Sequence, residues 1–258
     1  MINRRTESIL KNLPDRNSAT TCSIEAMAVE SFNETEGNLK GYDCPICKNK
    51  GMIAELVEGQ DLYRPCNCMS IRRVSNLRRD SGIENLLERY TFETFKEETQ
   101  WQKGLAWRAK KYIKTGSWFF IGGQVGSGKT HICTAIVKEL LSNGIACRYM
   151  LWRNEASRLK ANVNESVYGD MIKNLTEIPV LYIDDFFKGG VTQGDINLAF
   201  ELINDRYNSR KATIISSEKT INDLLNIDEA IGSRIVERSG EFITNITRKE
   251  NYRLGGTE

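Results

Sequence analysis

The 258-residue chain carries 36 Lys and Arg against 34 Asp and Glu, and with a formal net charge of +2 composition alone does not demand a nucleic-acid partner, so any basic surface must be local. No run of eighteen apolar residues exists, and the N-terminus MINRRTESILKNLPDR has charges where a signal peptide needs an apolar stretch, so a cytoplasmic protein is expected. The length accommodates a full core plus a smaller module, and seven cysteines, four of them clustered, suit metal-binding thiolates in a reducing compartment better than a disulfide framework.

Residues 4 to 13 and 23 to 35 read as two short helices, with Ile9, Leu10 and Leu13 on one and Ile24, Met27, Ala28 and Phe32 on the other. Pro14 and the polar stretch NSATT should break the chain between them. Docking on a partner or on the following module, and a loosely ordered arm, are both open readings. Next, Cys44 and Cys47 form a C-x-x-C pair and Cys66 and Cys68 a C-x-C pair, separated by 18 residues that read as a hairpin turning at Glu58-Gly59. Four thiolates at this spacing can close a tetrahedron around Zn²⁺. An iron–sulfur cluster uses the same ligands, whereas a redox C-x-x-C needs one pair only. A module of this size, about residues 41–69, has little core. Metal binding is therefore expected to supply most of its folding free energy, on the order of 10–16 kcal/mol.

The stretch SIRRVSNLRRDSG places Ile71, Val74 and Leu77 on one helical stripe and Arg72, Arg73, Arg78 and Arg79 around the other side, ending at Gly82. Contact with a phosphate backbone and a solvated charged face are both open for these arginines. Residues 81–96 read as a connector whose Phe92 and Phe95 pack on the next domain, so the expected division is 1–80, 81–96 and 97–258.

From Thr99 to Thr115, Trp101, Leu105, Ala109, Tyr112 and Ile113 recur at helical spacing. An apolar run from Trp118 to Ile121 then breaks at Gly122-Gly123, and an amphipathic run with Ile132, Ile136, Val137, Leu140 and Leu141 follows Lys129. Between them lies Gly123-Gln124-Val125-Gly126-Ser127-Gly128-Lys129-Thr130-His131, which satisfies G-x-x-x-x-G-K-[ST] between a strand and a helix. The glycines let backbone N–H groups converge on a polyphosphate, the helix N-terminus adds partial positive charge, and Lys129 can reach the β- and γ-phosphates. Thr130 would bind Mg²⁺. His131, the only histidine, lies in this helix and is no plausible fourth ligand for the cysteines.

Strands at 145–151, 179–185, 211–217 and 241–246 alternate with one or two helices at 153–176 and helices at 192–209, 220–226 and 228–238, which predicts a five-stranded parallel sheet with helices on both faces. The apolar run from Val180 ends in Asp184 and Asp185, as a Walker B strand requires. Asp184 would hold Mg²⁺ and Asp185 would polarise the attacking water. Aspartate rather than glutamate at the second position sets the carboxylate one methylene further from that water, so hydrolysis should be slow. In IISSEKT, Ser217 and Glu218 fall where a polar sensor residue sits, and a strand end turning polar at the surface is the plainer alternative. Arg234 and Arg238, four residues apart, share a helix face that a neighbouring subunit can meet, or pair with Glu237 or Glu241.

The motifs CPIC with RPCNC, DSGI, YTFETF, GGQVGSGKTH, VLYIDDF, ELINDRY, TIISSEKT, SRIVER and NYR, from about Cys44 to Arg253, together resemble the DnaC/DnaI-type helicase loaders. These are a branch of the AAA+ ATPases that includes the IstB-like transposition ATPases. The resemblance implies a five-stranded AAA+ core binding ATP and Mg²⁺, an N-terminal region that binds a DnaB-type helicase, and ATP-dependent binding of single-stranded DNA. It places Arg238 at the arginine-finger position with Arg234 as companion, and Arg253 at a C-terminal arginine near the nucleotide. Such a finger acts in trans, so self-assembly on the helicase or on DNA is implied. Where the family usually has Ser-Asn at the sensor, this chain has Ser217-Glu218. Twelve residues follow the last expected strand, too few for a C-terminal helical lid, so none is expected. The leading reading is an ATP-dependent helicase loader. The competing ones are a transposition accessory ATPase and a zinc-containing binding protein with a degenerate ATPase.

Overall fold

The computed structural model describes residues 16–247, and the side chains of residues 25–247. Arg253 and the helix expected at 4–13 lie outside the described residues. Two compact units are present, divided between Ser75 and Asn76.

In the first unit, α1 (Arg16–Glu34) precedes an antiparallel hairpin of β1 (Met52–Val57) and β2 (Gln60–Pro65). The turn residues Glu58 and Gly59 have φ of 52° and 81°, the left-handed pair that suits the twist of a two-residue hairpin. NSATT does not break the chain as expected but lies in the first turns of α1, where short polar residues are tolerated best. Asn33 ties this helix to the hairpin by donating to the Ala54 carbonyl at 2.8 Å and accepting the Ala54 N–H at 3.0 Å.

The arginine-rich segment forms α2 (Cys68–Asp80), but its faces differ from the expected ones. Ile71 is exposed, whereas Arg72 is buried and donates to the Lys40 and Tyr42 carbonyls and to Asn49 Oδ1. Asn49 Oδ1 also accepts the Cys44 N–H at 2.9 Å. Arg72 is thus neither a phosphate contact nor a solvated charge. A guanidinium with several donors can satisfy a loop rich in open carbonyls, and that outweighs apolar periodicity here.

The second unit runs through α3 (Glu84–Leu87), α4 (Gln100–Tyr112), β3 (Trp118–Gly123), α5 (Lys129–Ser142), β4 (Cys147–Leu151), α6 (Trp152–Ala161) and α7 (Tyr168–Thr176). It continues with β5 (Val180–Asp184), α8 (Gln193–Asn208), β6 (Ala212–Ser216), α9 (Ile221–Ile227), α10 (Glu229–Ser239) and β7 (Ile243–Ile246). The sheet order is β4-β5-β6-β3-β7 with every pair parallel, the five-stranded α/β architecture expected. Capping boxes at Thr99 with Gln102, Thr192 with Asp195 and Thr220 with Asp223 start α4, α8 and α9.

Strand alternation assigns the two cores. Phe119, Ile121, Tyr182 and Ile214 face one cluster with Leu105, Tyr112, Ile132 and Ile136, while Trp118, Phe120, Leu181 and Ile183 face another with Trp152, Leu202 and Ile235. The connector residues Ile83, Leu87, Phe92 and Phe95 are buried in the first cluster, and the Ser81 carbonyl accepts the Tyr149 N–H of β4 at 2.8 Å. Among the described residues no helix is long and apolar enough to cross a membrane.

Candidate functional site

The phosphate loop joins β3 to α5 at the C-terminal edge of the sheet, where parallel strands open a crevice. Gly123 has φ 108°, and a Cβ there would sit 2.2 Å from the Ile246 carbonyl oxygen, so only glycine lets β3 pass β7 at this point. Gly128, at φ 82°, turns the chain into the helix. The Lys129 ammonium folds over the loop and donates to the Gly123 carbonyl at 2.9 Å and the Gln124 carbonyl at 2.5 Å. Burial pushes its pKa down, and the nearby Glu218, Asp185 and Asp184 carboxylates act against that. Ser127 is buried, with its hydroxyl on the Gln124 carbonyl at 2.7 Å.

Asp184, at the end of β5, is 3% exposed and accepts four side-chain hydroxyls. Tyr182 donates to Oδ1 at 2.8 Å, Thr130 to Oδ1 at 3.3 Å and Tyr149 to Oδ2 at 3.1 Å, and Ser216 also donates to Oδ1. The Thr130 hydroxyl and the Asp184 carboxylate are therefore adjacent, an oxygen donor set suited to Mg²⁺ beside a polyphosphate. They are the residues that would hold that ion, which when bound would neutralise phosphate charge.

Past Asp184 the backbone turns sharply. Asp185 and Phe187 both have φ 55°, a left-handed conformation that costs a non-glycine residue on the order of 1–3 kcal/mol. Phe186 and Phe187 hold the turn by stacking at 4.2 Å and meeting Trp152 edge-on at 4.8 and 5.3 Å in the second core. As a result Asp185 reaches a cavity of about 610 Å³ that Gly126, Ser127, Gly128, Lys129 and Thr130 also line. Tyr90, Phe95 and Gln102 line it as well.

In the first unit, Cys44, Cys47, Cys66 and Cys68 are buried and their sulfurs lie within 4.8 Å of one another. Sγ–Sγ distances are 3.8 Å for Cys44–Cys66 and 3.5 Å for Cys47–Cys68. Tetrahedral Zn–S bonds of about 2.3 Å imply about 3.8 Å between sulfurs, so the four cysteines are compatible with a zinc site.

The family model for IstB-like ATP binding proteins matches residues 55–254. The chain belongs to that family. It is 29% identical over 247 residues to phage-like element PBSX protein XkdC of Bacillus subtilis, covering 86% of this chain and 90% of that protein. It is 22% identical over 200 residues to replicative helicase loader DnaC of Escherichia coli, covering 74% and 79%. Its fold matches the crystal structure of the DnaC helicase loader with a TM-score of 0.54 at 20% identity, over 62% of this chain and 96% of that one. The second unit thus shares the fold of the DnaC helicase loader, in an ATP-binding family.

Within this IstB-like core, the other expected residues fall in several places. Val125 and His131 line the cavity, Val125 being exposed at the loop tip. His131 Nε2 is engaged with the connector, lying 2.8 Å from the Thr91 carbonyl, and its ring packs on Tyr90 and Phe95. Burial pushes its pKa down, opposed by the Thr91 carbonyl and assisted by Arg89. Glu218 lines the cavity and Ser217 does not: its hydroxyl donates to the Phe186 carbonyl at 2.6 Å and accepts the Lys219 N–H at 3.0 Å. One residue earlier, Ser216 is the hydroxyl that touches Asp184, because strand alternation sends consecutive side chains to opposite faces.

Arg234 and Arg238, on α10, do not line the cavity. The Arg234 guanidinium lies over Phe200 at 5.3 Å and Tyr207 at 5.5 Å. Neither acidic neighbour named from the sequence pairs with them, since Glu237 accepts the Tyr207 hydroxyl and Glu241 pairs with Lys111 at 2.6 Å. Sequence reasoning missed Tyr149, Tyr182 and Lys188. The tyrosines were findable, because Tyr182 precedes Asp184 by two residues on the same strand face and Tyr149 is its partner in register on β4.

Proposed function

We propose that this protein is an ATP-dependent loader that delivers a DnaB-type hexameric helicase onto single-stranded DNA during replication initiation. ATP is the switch. Its phosphates would lie on Gly123–Thr130, Mg²⁺ would be held by Thr130 and Asp184, and Asp185 would orient the attacking water. Arg238, which does not line its own chain's cavity, would act on the nucleotide of a neighbouring copy assembled on the helicase or on DNA. Arginines supplied in this way are worth roughly 10³–10⁵ in rate in other phosphoryl-transfer enzymes. The N-terminal region with its four-cysteine site, taken as a Zn²⁺ site, would contact the helicase.

The observation that carries the reading is one chain joining a preformed Thr130–Asp184 site to a four-cysteine module, with similarity covering 79% of a replicative helicase loader. The test is capture of a DnaB-type helicase by the full chain under conditions that retain the metal, with single-stranded DNA binding measured in ATP and in ADP. Helicase capture together with ATP-dependent DNA binding is expected. Lys129→Ala should abolish the ATP dependence and leave metal content and helicase capture intact. The family's IstB-like designation favours a second reading, a transposition accessory ATPase that remodels duplex DNA and recruits a transposase. Failure to capture helicase, with ATP-dependent binding of duplex DNA, would select it.

A further inference from the structure

Lys188 belongs to no motif, yet its ammonium is 2.8 Å from Asp185 Oδ2 and 3.1 Å from Glu218 Oε1. All three side chains line the cavity that holds the phosphate loop. The strained turn anchored by Phe186 and Phe187 produces this placement, since the Lys188 N–H closes on the Asp185 carbonyl at 3.0 Å and brings the side chain back beside Asp185. One ammonium therefore serves two carboxylates on the Walker B side, while Lys129 is engaged with the loop carbonyls of Gly123 and Gln124.

This arrangement bears on the acidic residue at the sensor position. A lone Glu218 in this cavity would repel a terminal phosphate, and Lys188 cancels that charge. The Lys188 side chain is 39% exposed, so its carboxylate pairs are weak and exchangeable, whereas a phosphate oxygen carries more charge than either carboxylate. Building on the reading of the cavity as an ATP site, we propose that Lys188 is a contact for the γ-phosphate acting in the same chain. On ATP binding its ammonium gives up Asp185 for the terminal phosphate while staying beside Glu218, leaving Asp185 free to orient water. Lys188 and Glu218 together then replace the polar amide of an ordinary sensor and distinguish ATP from ADP.

The test is equilibrium binding of ATP and of ADP, each with Mg²⁺, to the full chain and its variants. Lys188→Ala should weaken ATP about tenfold, as expected for loss of a charge-assisted hydrogen bond, and leave ADP within about twofold. Lys188→Arg should recover most of the ATP preference. The double variant K188A/E218Q separates contact from charge cancellation: it should remain defective for ATP if Lys188 touches the phosphate. Recovery of wild-type ATP affinity in the double variant, or equal changes for ATP and ADP in K188A, would overturn the proposal. A wild-type chain that binds neither nucleotide would overturn the ATP reading and this inference with it.

Discussion

In the unit ending at Ser75, the residues buried as a cluster are four cysteines with Ile53 packed against them, while Met27, Leu62 and Tyr63 stay exposed. In the unit beginning at Asn76, Trp118, Phe119, Phe120 and Ile121 on β3 alone feed two apolar clusters on opposite faces of a sheet. Among the described residues the first buries little apolar surface, and its sulfurs are placed as a cation would need. The second buries enough to fold without one. Two neighbouring stretches of one chain thus face the same entropic cost with different means, a four-cysteine cluster compatible with a metal in one and side-chain packing in the other.

The largest expected effect separates the units directly. Chelation, or Cys47→Ser, removes metal binding on the order of 10–16 kcal/mol, more than small domains usually have to spare. Amide hydrogen exchange should then show loss of protection from Cys44 to Cys68 and unchanged protection in β3, β5 and β6. Metal analysis should give zinc, without the visible absorption of an iron–sulfur cluster. Simultaneous unfolding of both units would show that the division does not describe their stability.

Next in size is a large, fully buried cation among the described residues of the packed unit. Arg206 is fully buried and donates to the carbonyls of Leu175, Thr176 and Ile178 at 2.8, 3.1 and 3.0 Å, to the Ala212 carbonyl, and to Thr213 Oγ1 at 2.9 Å. Burial pushes its pKa down to about 9, with Tyr112 acting in the opposite direction. Arg206→Met keeps much of the volume but leaves several carbonyls unpaired, and should cost about 3–5 kcal/mol. Denaturant titration should show this in the second unit's transition, with metal content unaffected.

Arg206 also shows what could be read from the sequence. The sheet was legible because Trp118, Phe119, Phe120 and Ile121 form a continuous apolar run, as a strand buried on both faces requires. The phosphate loop was legible because its chemistry is carried by residues adjacent in sequence. Arg206 and Arg72 were not, since helical periodicity assigns arginine outward and contains no record of loop carbonyls that need a donor. Lys188 was hidden for a related reason: its place depends on the left-handed turn at Asp185 and Phe187, anchored by Phe186 and Phe187, which apolar periodicity does not signal. The contact of Ser216 with Asp184 was not read, because it depends on which face of β6 each consecutive serine takes.

The smallest effect concerns the second candidate cation site, and it sharpens the contrast with the first. The four sulfurs lie mainly against one another, with the Gly51 N–H at 3.3 Å from Cys47, an arrangement compatible with a cation between them. Asp184 already accepts Tyr182, Thr130, Tyr149 and Ser216 hydroxyls, so its burial is satisfied by the protein itself. Chelators that unfold the first unit should therefore leave the second folded and impair only its nucleotide binding. Tyr182→Phe removes one hydroxyl from a set of four and should cost about 1 kcal/mol of second-unit stability. Its effect on Mg²⁺-dependent ATP binding should be a few-fold, because three donors still orient the carboxylate beside Thr130. A loss in Tyr182→Phe as large as that in Arg206→Met would mean that Asp184 depends on one hydroxyl rather than on the set, and the site would then not be preformed without its cation.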